Sequence, residues 1–274
     1  MSTTPAFERG RSEGRAALIG YLPAGFPDVP GAVDALQVMV DAGCDVIEIG
    51  LPYSDPVMDG PTIQAAAQQA LDAGCRTTDV LRTVEAVAAT GTPTLVMTYW
   101  NPVERYGVER FAADLASAGG AGLITPDITP DAGDAWIAAA DAHDLDKVFL
   151  VAPSSTDERV AMTTAASRGF VYATAVMGVT GARTTTSDLA GPLVTRARAL
   201  QPKDAHLPVG VGLGVSNGDQ AAVVAAYADG VIVGSAFVRT LLDAGTDRAA
   251  GLAALRTLTE DLAAGVRRGD AGGA

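Results

Sequence analysis

The sequence predicts an α/β fold in which eight parallel strands alternate with helices and close into a single (β/α)₈ barrel with extra short helices. The chain has 274 residues, a usual length for one such barrel. Short apolar runs alternate with amphipathic segments along its length, which is the order expected of a parallel sheet. Hydrophobic residues make up 48% of the chain, enough for a large core. An open doubly wound sheet is the alternative, but GYLPAGFP at the first strand lacks the usual G-x-G-x-x-G.

The predicted strands are short apolar runs, several of which follow a helical stretch that ends in Ala-Gly or a similar pair. Glycine suits the left-handed residue that ends a helix, and strands buried on both faces have continuous apolar sequences. The eight predicted strands are Ala17–Leu22, Val46–Gly50, Thr94–Tyr99, Gly122–Thr125, Val148–Val151, Phe170–Thr174, Pro208–Gly212 and Gly230–Val233.

The segments between the strands have helical periodicity. Val33, Leu36 and Val40, for example, fall on one helical face. The gap between the second and third strands is long enough for an extra helix around Thr78–Ala89. No Pro/Ser-rich or charged linker divides the chain, so we expect residues 1–274 to form one domain. Residues 1–14 and 268–274 are polar and Gly-rich, and are expected to be flexible ends.

The charge and the cysteine content exclude several classes of function. The net charge of −13 repels the phosphates of DNA and RNA, so nucleic acid is not an expected partner. No apolar leader and no uncharged apolar run of about 18 residues is present, so we expect a cytoplasmic protein that does not enter a membrane. Cys44 and Cys75 form no C-x-x-C motif and lie far from both histidines, which predicts buried reduced thiols and no metal site.

Glu48 is the first candidate catalytic residue. Active sites of these barrels lie at the C-terminal ends of the strands. Because side chains alternate along a strand, Ile47 and Ile49 suit the helix layer, and Glu48 then points into the barrel. Burial raises the pKa of a carboxyl group, as a general acid working near neutrality requires. From position alone, a structural glutamate satisfied by hydrogen bonds is the alternative.

Asp59 is the second candidate, on the loop Leu51–Pro61. This loop has three prolines and two aspartates, and Pro61 suits the first turn of a helix over Thr62–Ala73. Asp59 is therefore predicted to lie over the mouth of the barrel. A helix cap is the alternative for Asp59, and turn chemistry is the favoured role for Asp55.

Three late loops are rich in glycine: Gly178–Gly181, Gly210–Ser216 and Gly234–Ala236. Barrels often bind phosphate at the loops after strands seven and eight, beside the N-terminus of a short helix. The residues after Gly234 can form that helix, and its backbone N–H groups would bind the anion without a lysine or arginine. The sequence thus predicts a small phosphorylated substrate. The alternative is that these glycines only form tight turns.

These motifs together resemble one family. EIGLPYSDPVMDGPTIQ (Glu48–Gln64) matches the pattern E-(L/I)-G-x-P-(F/Y)-S-D-P-x-x-D-G-P-x-I-Q of the tryptophan synthase α-subunit family. GVTG, GVGLGVS and GSA match further motifs of that family in the same order, and the resemblance extends from about Ala17 to Val266. It implies a TIM barrel and a lyase of tryptophan biosynthesis.

The resemblance implies a reaction and a role for each matching residue. The family cleaves indole-3-glycerol phosphate to indole and glyceraldehyde 3-phosphate in a retro-aldol reaction. By this likeness, Glu48 gives a proton to indole C3 and assists removal of the glycerol hydroxyl proton, while Asp59 interacts with the indole N–H. The implied phosphate-binding residues are Gly181, Gly212, Gly214, Gly234 and Ser235. Tyr21, Ile63, Tyr99 and Tyr172 are placed near the indole, and Asp127 and Thr180 where the site closes.

A partner is implied in the same way. Members of the family work in an α2β2 assembly with a tryptophan synthase β subunit that carries pyridoxal phosphate, and no cofactor or metal is expected in this chain. The implied contact surface includes Tyr53–Asp59, the region from Trp100 onward and the loop after Gly178. A stand-alone indole-forming lyase and a non-catalytic activator of a β subunit are the alternatives, although retention of Glu48 and Asp59 argues against the second.

Another enzyme on a phosphate-binding barrel is a further alternative. Lys147 and Lys203 precede strands five and seven, at the wrong end of the barrel for the Schiff base of an aldolase.

Departures from the family pattern lie around the mouth of the barrel. The first strand ends in YLPAGFP rather than F-x-T-x-G-x-P, Pro130 comes one place later than usual, and Val176-Met177 replaces a polar residue.

Overall fold

The computed structural model describes residues 1–174, 189–203 and 206–269. Their strands are β1 Ala17–Pro23, β2 Val46–Gly50, β3 Thr94–Met97, β4 Gly122–Ile124, β5 Asp146–Val148, β6 Leu150–Val151, β7 Val171–Thr174, β8 Val209–Gly212 and β9 Gly230–Val233. Their α-helices are α1 Thr4–Ser12, α2 Val29–Asp41, α3 Pro61–Asp72, α4 Thr77–Ala88, α5 Trp100–Tyr106, α6 Val108–Ser117, α7 Asp134–Ala142, α8 Asp157–Ala166, α9 Ala190–Ala199, α10 Gly218–Ala225, α11 Ser235–Ala244 and α12 Arg248–Arg268. A short 3₁₀ helix, Pro130–Ala132, precedes α7.

The strands pair in parallel around a nearly closed barrel, which confirms the predicted fold class. Their order is β5-β4-β3-β2-β1-β9-β8-β7-β6. The predicted fifth strand begins earlier, at Asp146, and is divided at Phe149 into β5 and β6. The carbonyl of Val148 accepts the N–H of Thr125 at 3.3 Å, and the carbonyl of Phe149 accepts the N–H of Tyr172 at 3.0 Å. The strands β5 and β6, which stand at the two ends of this order, are therefore consecutive parts of one stretch of chain.

The core has two parts, on either side of the strands. Ile47 and Ile49 pack in the larger cluster with the helices, whereas Val46 packs in a smaller cluster inside the barrel. This confirms the alternation predicted for β2 and leaves Glu48 on the inner face. The extra helix predicted around Thr78–Ala89 is α4. Cys44 and Cys75 are buried free thiols, as expected.

The prediction of a flexible segment over residues 1–14 was wrong for most of that segment. Helix α1 closes the N-terminal end of the barrel, where Phe7 packs inside the barrel with its ring centroid 5.2 Å from that of Phe170. The fully buried Asp146 accepts hydrogen bonds at 2.7 Å from both the N–H and the hydroxyl of Thr3. The exposed face of α1 is polar, so two buried apolar residues, Ala6 and Phe7, were too weak a pattern to reveal the packing.

At the other end of the chain, α12 continues to Arg268, and residues 270–274 lie outside the described part. None of the described helices is both long enough and apolar enough to span a bilayer.

Candidate active site

A cavity of about 210 Å³ opens at the C-terminal ends of the strands. It brings together most of the residues predicted for the site, although they come from β1, β2, β7 and β8, from the loops after β2, β3, β8 and β9, and from helices α3 and α11. The predicted residues that line it are Tyr21, Glu48, Asp59, Ile63, Tyr99, Tyr172, Gly212, Gly214, Gly234 and Ser235. Thr180 and Gly181 lie outside the described residues.

Glu48 lies inside the barrel with 1% of its surface exposed. Neither carboxyl oxygen has a hydrogen-bond partner within the described residues, so these contacts do not support the satisfied structural glutamate considered from the sequence. Burial raises the pKa of Glu48 to about 8, because the charged form loses the solvation of water. Glu48 is therefore largely protonated at neutral pH and able to donate that proton into the cavity.

Asp59 lies on the loop between β2 and α3, half-buried at the mouth of the cavity. The hydroxyl oxygen of Tyr99 accepts the N–H of Met58 at 3.0 Å, and Gln64 donates to the carbonyl of Asp59 at 2.8 Å. Burial raises the pKa of Asp59, and a hydrogen bond with Tyr99 partly offsets this. Gly60, not Asp59, is the N-cap of α3, so the helix-cap alternative does not describe this aspartate.

Tyr21 and Tyr172 face the cavity from β1 and β7. Burial raises the pKa of both phenols, and negative charge at Asp59 and Glu48 for Tyr21, or at Glu48 for Tyr172, raises it further. Both therefore stay protonated across the physiological range. Each hydroxyl needs a neighbouring glycine: a Cβ at Gly50 would overlap the hydroxyl of Tyr21, and one at Gly212 that of Tyr172.

The opposite side of the cavity is formed by backbone rather than by charged side chains. Gly234 is the N-cap of α11 and has no side-chain cap, and Ser235 is the first residue of that helix. Gly214, after β8, has a φ of +73°, a left-handed conformation that favours glycine. The first N–H groups of a helix lack intrahelical partners and carry partial positive charge, so this end of the cavity suits an anion. The described lining contains no lysine, arginine or histidine.

Asp127 is not part of the cavity lining. Its exposed carboxylate accepts the N–H of Trp100, at 2.9 Å to Oδ1 and 3.1 Å to Oδ2. This contact pairs the first N–H of helix α5 at the rim of the cavity.

Sequence reasoning also missed several lining residues: Leu51, Met58, Met97, Thr98, Pro126, Leu150, Thr174, Leu213 and Ile232. Met97 and Ile232 occupy inward positions near the ends of predicted strands, so the alternation used for Glu48 would have found them.

Among the residues that the structure describes, no group of three or more histidines, cysteines, aspartates or glutamates could hold a metal ion. What the cavity offers is an acid, a carboxylate, phenol hydroxyls, an apolar wall and a helix N-terminus. This set suits acid–base chemistry on an apolar molecule that carries an anionic group.

The family model described as tryptophan synthase alpha chain matches residues 7–267. The chain belongs to this family. The tryptophan synthase alpha chain of Acidothermus cellulolyticus is 62% identical over 263 residues, which is 96% of each chain. That of Mycobacterium avium is 58% identical over 264 residues, covering 96% of this chain and 94% of the relative.

Solved structures agree with the family. The structure of Mycobacterium tuberculosis tryptophan synthase aligns with a TM-score of 0.90 and 57% identity, over 97% of this chain and 98% of the other. Tryptophan synthase subunit alpha from Legionella pneumophila, 30% identical, aligns with a TM-score of 0.84 over 97% of this chain and 98% of the other. These matches support the α-subunit role of a lyase in tryptophan biosynthesis, and do not favour the stand-alone lyase or the non-catalytic activator.

The buried acid predicts how stability depends on pH. The pKa of Glu48 is about 8 in the folded chain against an ordinary value of 4.5, so the unfolded chain releases this proton first. The contribution of Glu48 to the free energy of unfolding is therefore greatest below about pH 4.5 and is lost as the pH rises to about 8. We expect Glu48→Gln to gain stability relative to the parent between pH 5 and pH 8, on the order of 3 kcal/mol.

Urea unfolding at each pH measures this difference. Glu85→Gln makes the same chemical change at an exposed position on α4, and should show no comparable pH-dependent gain. A constant difference between Glu48→Gln and the parent across this range would mean that Glu48 is ionised in the folded chain.

Proposed function

We propose that this chain cleaves indole-3-glycerol phosphate to indole and glyceraldehyde 3-phosphate, with Glu48 as general acid and base and Asp59 as the anion that receives the indole N–H. One observation carries the proposal: a fully buried glutamate without a hydrogen-bond partner in the described residues, whose pKa is raised by burial, lies in the same cavity as an aspartate and a helix N-terminus. These are the groups that a retro-aldol cleavage of a phosphorylated indole requires.

The reaction follows from the two carboxyl groups. Glu48 gives its proton to C3 of the indole, and the ring nitrogen becomes positively charged. Asp59 stabilises that charge through the N–H, which lowers the energy of the state from which the bond breaks. The bond between C3 and the glycerol carbon then breaks, and its electron pair returns to the ring. The glycerol hydroxyl becomes the aldehyde as its proton passes to Glu48, which is thereby restored.

The substrate is held at its other end. The N-terminus of α11, with Gly234 and Ser235, and the turn around Gly214 would bind the phosphate through backbone N–H groups. Ile63, Met97 and Leu150 provide apolar surface for the indole. Anion binding by backbone agrees with the net charge of −13, because the phosphate must be held locally against the overall field of the chain.

We expect loss of the general acid to abolish most of the activity. Glu48→Gln cannot donate a proton, and should lower the rate of indole formation by about 10²–10⁴-fold, the usual contribution of one general acid or base. Indole release from indole-3-glycerol phosphate measures it. Glu85→Gln is the matched control and should keep the parent rate. Indole formation by a folded Glu48→Gln variant at the parent rate would disprove this mechanism.

The phosphate assignment is tested at Gly234. Gly234→Asp places a negative charge at the N-terminus of α11, where it repels the substrate phosphate, so we expect binding to be lost while the chain still folds. Gly234→Ala is the control, since its Cβ would lie 3.3 Å from Tyr21 and adds bulk without charge. A KM for Gly234→Asp equal to that of Gly234→Ala would remove the phosphate from this position.

We also propose that the chain assembles with a tryptophan synthase β subunit, which would hold the pyridoxal phosphate, in an α2β2 complex. Two observations support the predicted surface. Asn101 donates to the hydroxyl of Tyr53 at 3.0 Å, which joins the loop after β2 to helix α5. Val57, on the same loop, is 73% exposed, so this loop presents an apolar side chain that a partner could cover.

Adding the β subunit should accelerate indole release by the purified chain. The change in rate measures the effect on the chemistry, and co-elution of the two chains in size-exclusion chromatography measures assembly. Fast indole release that the β subunit does not alter, without co-elution, would instead identify a stand-alone lyase.

A further inference from the structure

Two helices border the cavity at the two ends of the proposed substrate. The loop before α3 carries Asp59 and α3 itself carries Ile63, both in the wall assigned to the indole. The N-terminus of α11, with Gly234 and Ser235, is the part assigned to the phosphate. Because one molecule has to reach both, the spacing between α3 and α11 decides how well that molecule fits.

A hydrogen bond joins these two helices directly. The guanidinium of Arg239 on α11 donates from Nη2 to the hydroxyl oxygen of Thr62 on α3, at 2.6 Å. Arg239 comes four residues after Ser235 and therefore lies on the same face of α11. Thr62 is the second residue of α3 and has 7% of its surface exposed. The bond is thus close, along each helix, to residues that line the cavity.

A second hydrogen bond extends this connection to the loop that carries Asp59. Gln64, near the start of α3, donates from Nε2 to the backbone carbonyl of Asp59 at 2.8 Å. Since Thr62 and Gln64 belong to the same helix, two hydrogen bonds and a short piece of α3 connect Arg239 to the backbone of Asp59.

Charge does not account for the place of Arg239. Within the described residues it forms no ion pair with a carboxylate, and the first turn of α3 carries no acidic side chain. The first turn of a helix has partial positive charge, which disfavours a cation beside it. Electrostatic attraction therefore gives this contact little stability, and what the bond supplies is a fixed geometry between the two helices.

We propose that Arg239 is a positioning residue which, through Thr62, fixes the spacing between the Asp59 loop and the phosphate-binding end of α11. This role rests on the proposed function, since it requires one substrate that reaches from Asp59 to Ser235. Two separate ligands, one at each end, do not depend on that spacing, whereas one molecule that joins both ends does.

Binding of a joined ligand and of its two halves tests this role on the full chain. Indole and glycerol 3-phosphate are the halves, and 3-(indol-3-yl)propyl phosphate, which lacks the hydroxyl needed for cleavage, is the joined ligand. We expect Arg239→Met to weaken binding of the joined ligand about 10-fold, the scale of one hydrogen bond from a charged group. The affinity for each half should stay within about 2-fold of that of the parent. Isothermal titration calorimetry measures all three.

Arg248→Met is the matched control. It also removes an arginine that joins two helices, because Arg248 on α12 donates to Asp34 on α2 at 2.6 Å, but neither helix lines the cavity. This variant should leave all three affinities unchanged.

A double-mutant cycle tests whether Arg239 acts through Thr62. Arg239→Met and Thr62→Val should each lower kcat/KM for indole formation about 10-fold, and the double variant should lie within about 2-fold of either one, because the same bond is lost. Thr62→Ser keeps the acceptor oxygen and should keep kcat/KM near that of the parent.

The outcomes distinguish the two proposals. A parent chain that forms no indole, with or without the β subunit, would overturn the proposed function and with it this role for Arg239. With an active parent, an additive Arg239–Thr62 cycle would overturn the role of Arg239 alone. So would a loss of affinity for the halves as large as that for the joined ligand, since that result indicates a general change in the folded chain.

Discussion

The burial of one carboxylic acid is the constraint on which the site depends. Glu48 stands on a central strand, inside a barrel, with neither oxygen paired within the described residues. An ionised carboxylate in that position would be costly, so the group retains its proton near neutrality. The closed barrel makes this possible, because helices cover the outer face of β2 and the smaller cluster fills the interior beneath Glu48.

The two carboxyl groups of the site differ because their surroundings differ. Glu48 is held by a strand and receives no hydrogen bond from the described residues, whereas Asp59 lies on a half-buried loop beside Tyr99. The first environment favours an acid and the second can support an ion. Pairs of titratable groups whose environments separate their pKa values in this way are a common basis for acid–base catalysis. In the proposed reaction, Tyr99 and the backbone N–H groups of α11 would support the anions in place of cationic side chains.

Much of the fold and of the site could be predicted from the sequence, because both depend on local patterns. Strand alternation placed Glu48 on the inner face, and Pro61 marked the start of α3. The rest depends on contacts between distant residues. The break at Phe149 reflects pairing with strands on both sides, and the packing of α1 depends on Phe170 and Asp146, far along the chain. Asp127 accepts the N–H of Trp100 at the rim, a contact that spacing along the chain does not reveal.

The N-terminal helix has a consequence for the order in which the chain can fold. Its contacts with Asp146 span 143 residues of sequence, and Phe7 packs on Phe170. A ribosome releases the chain from its N-terminus. Helix α1 therefore cannot make its native contacts until Asp146 and Phe170, which lie beyond the midpoint of the 274 residues, have also emerged. Contacts of such long range form slowly, because a large loop must close before they contribute any energy. Helix α1 is thus made before the residues on which its native packing depends.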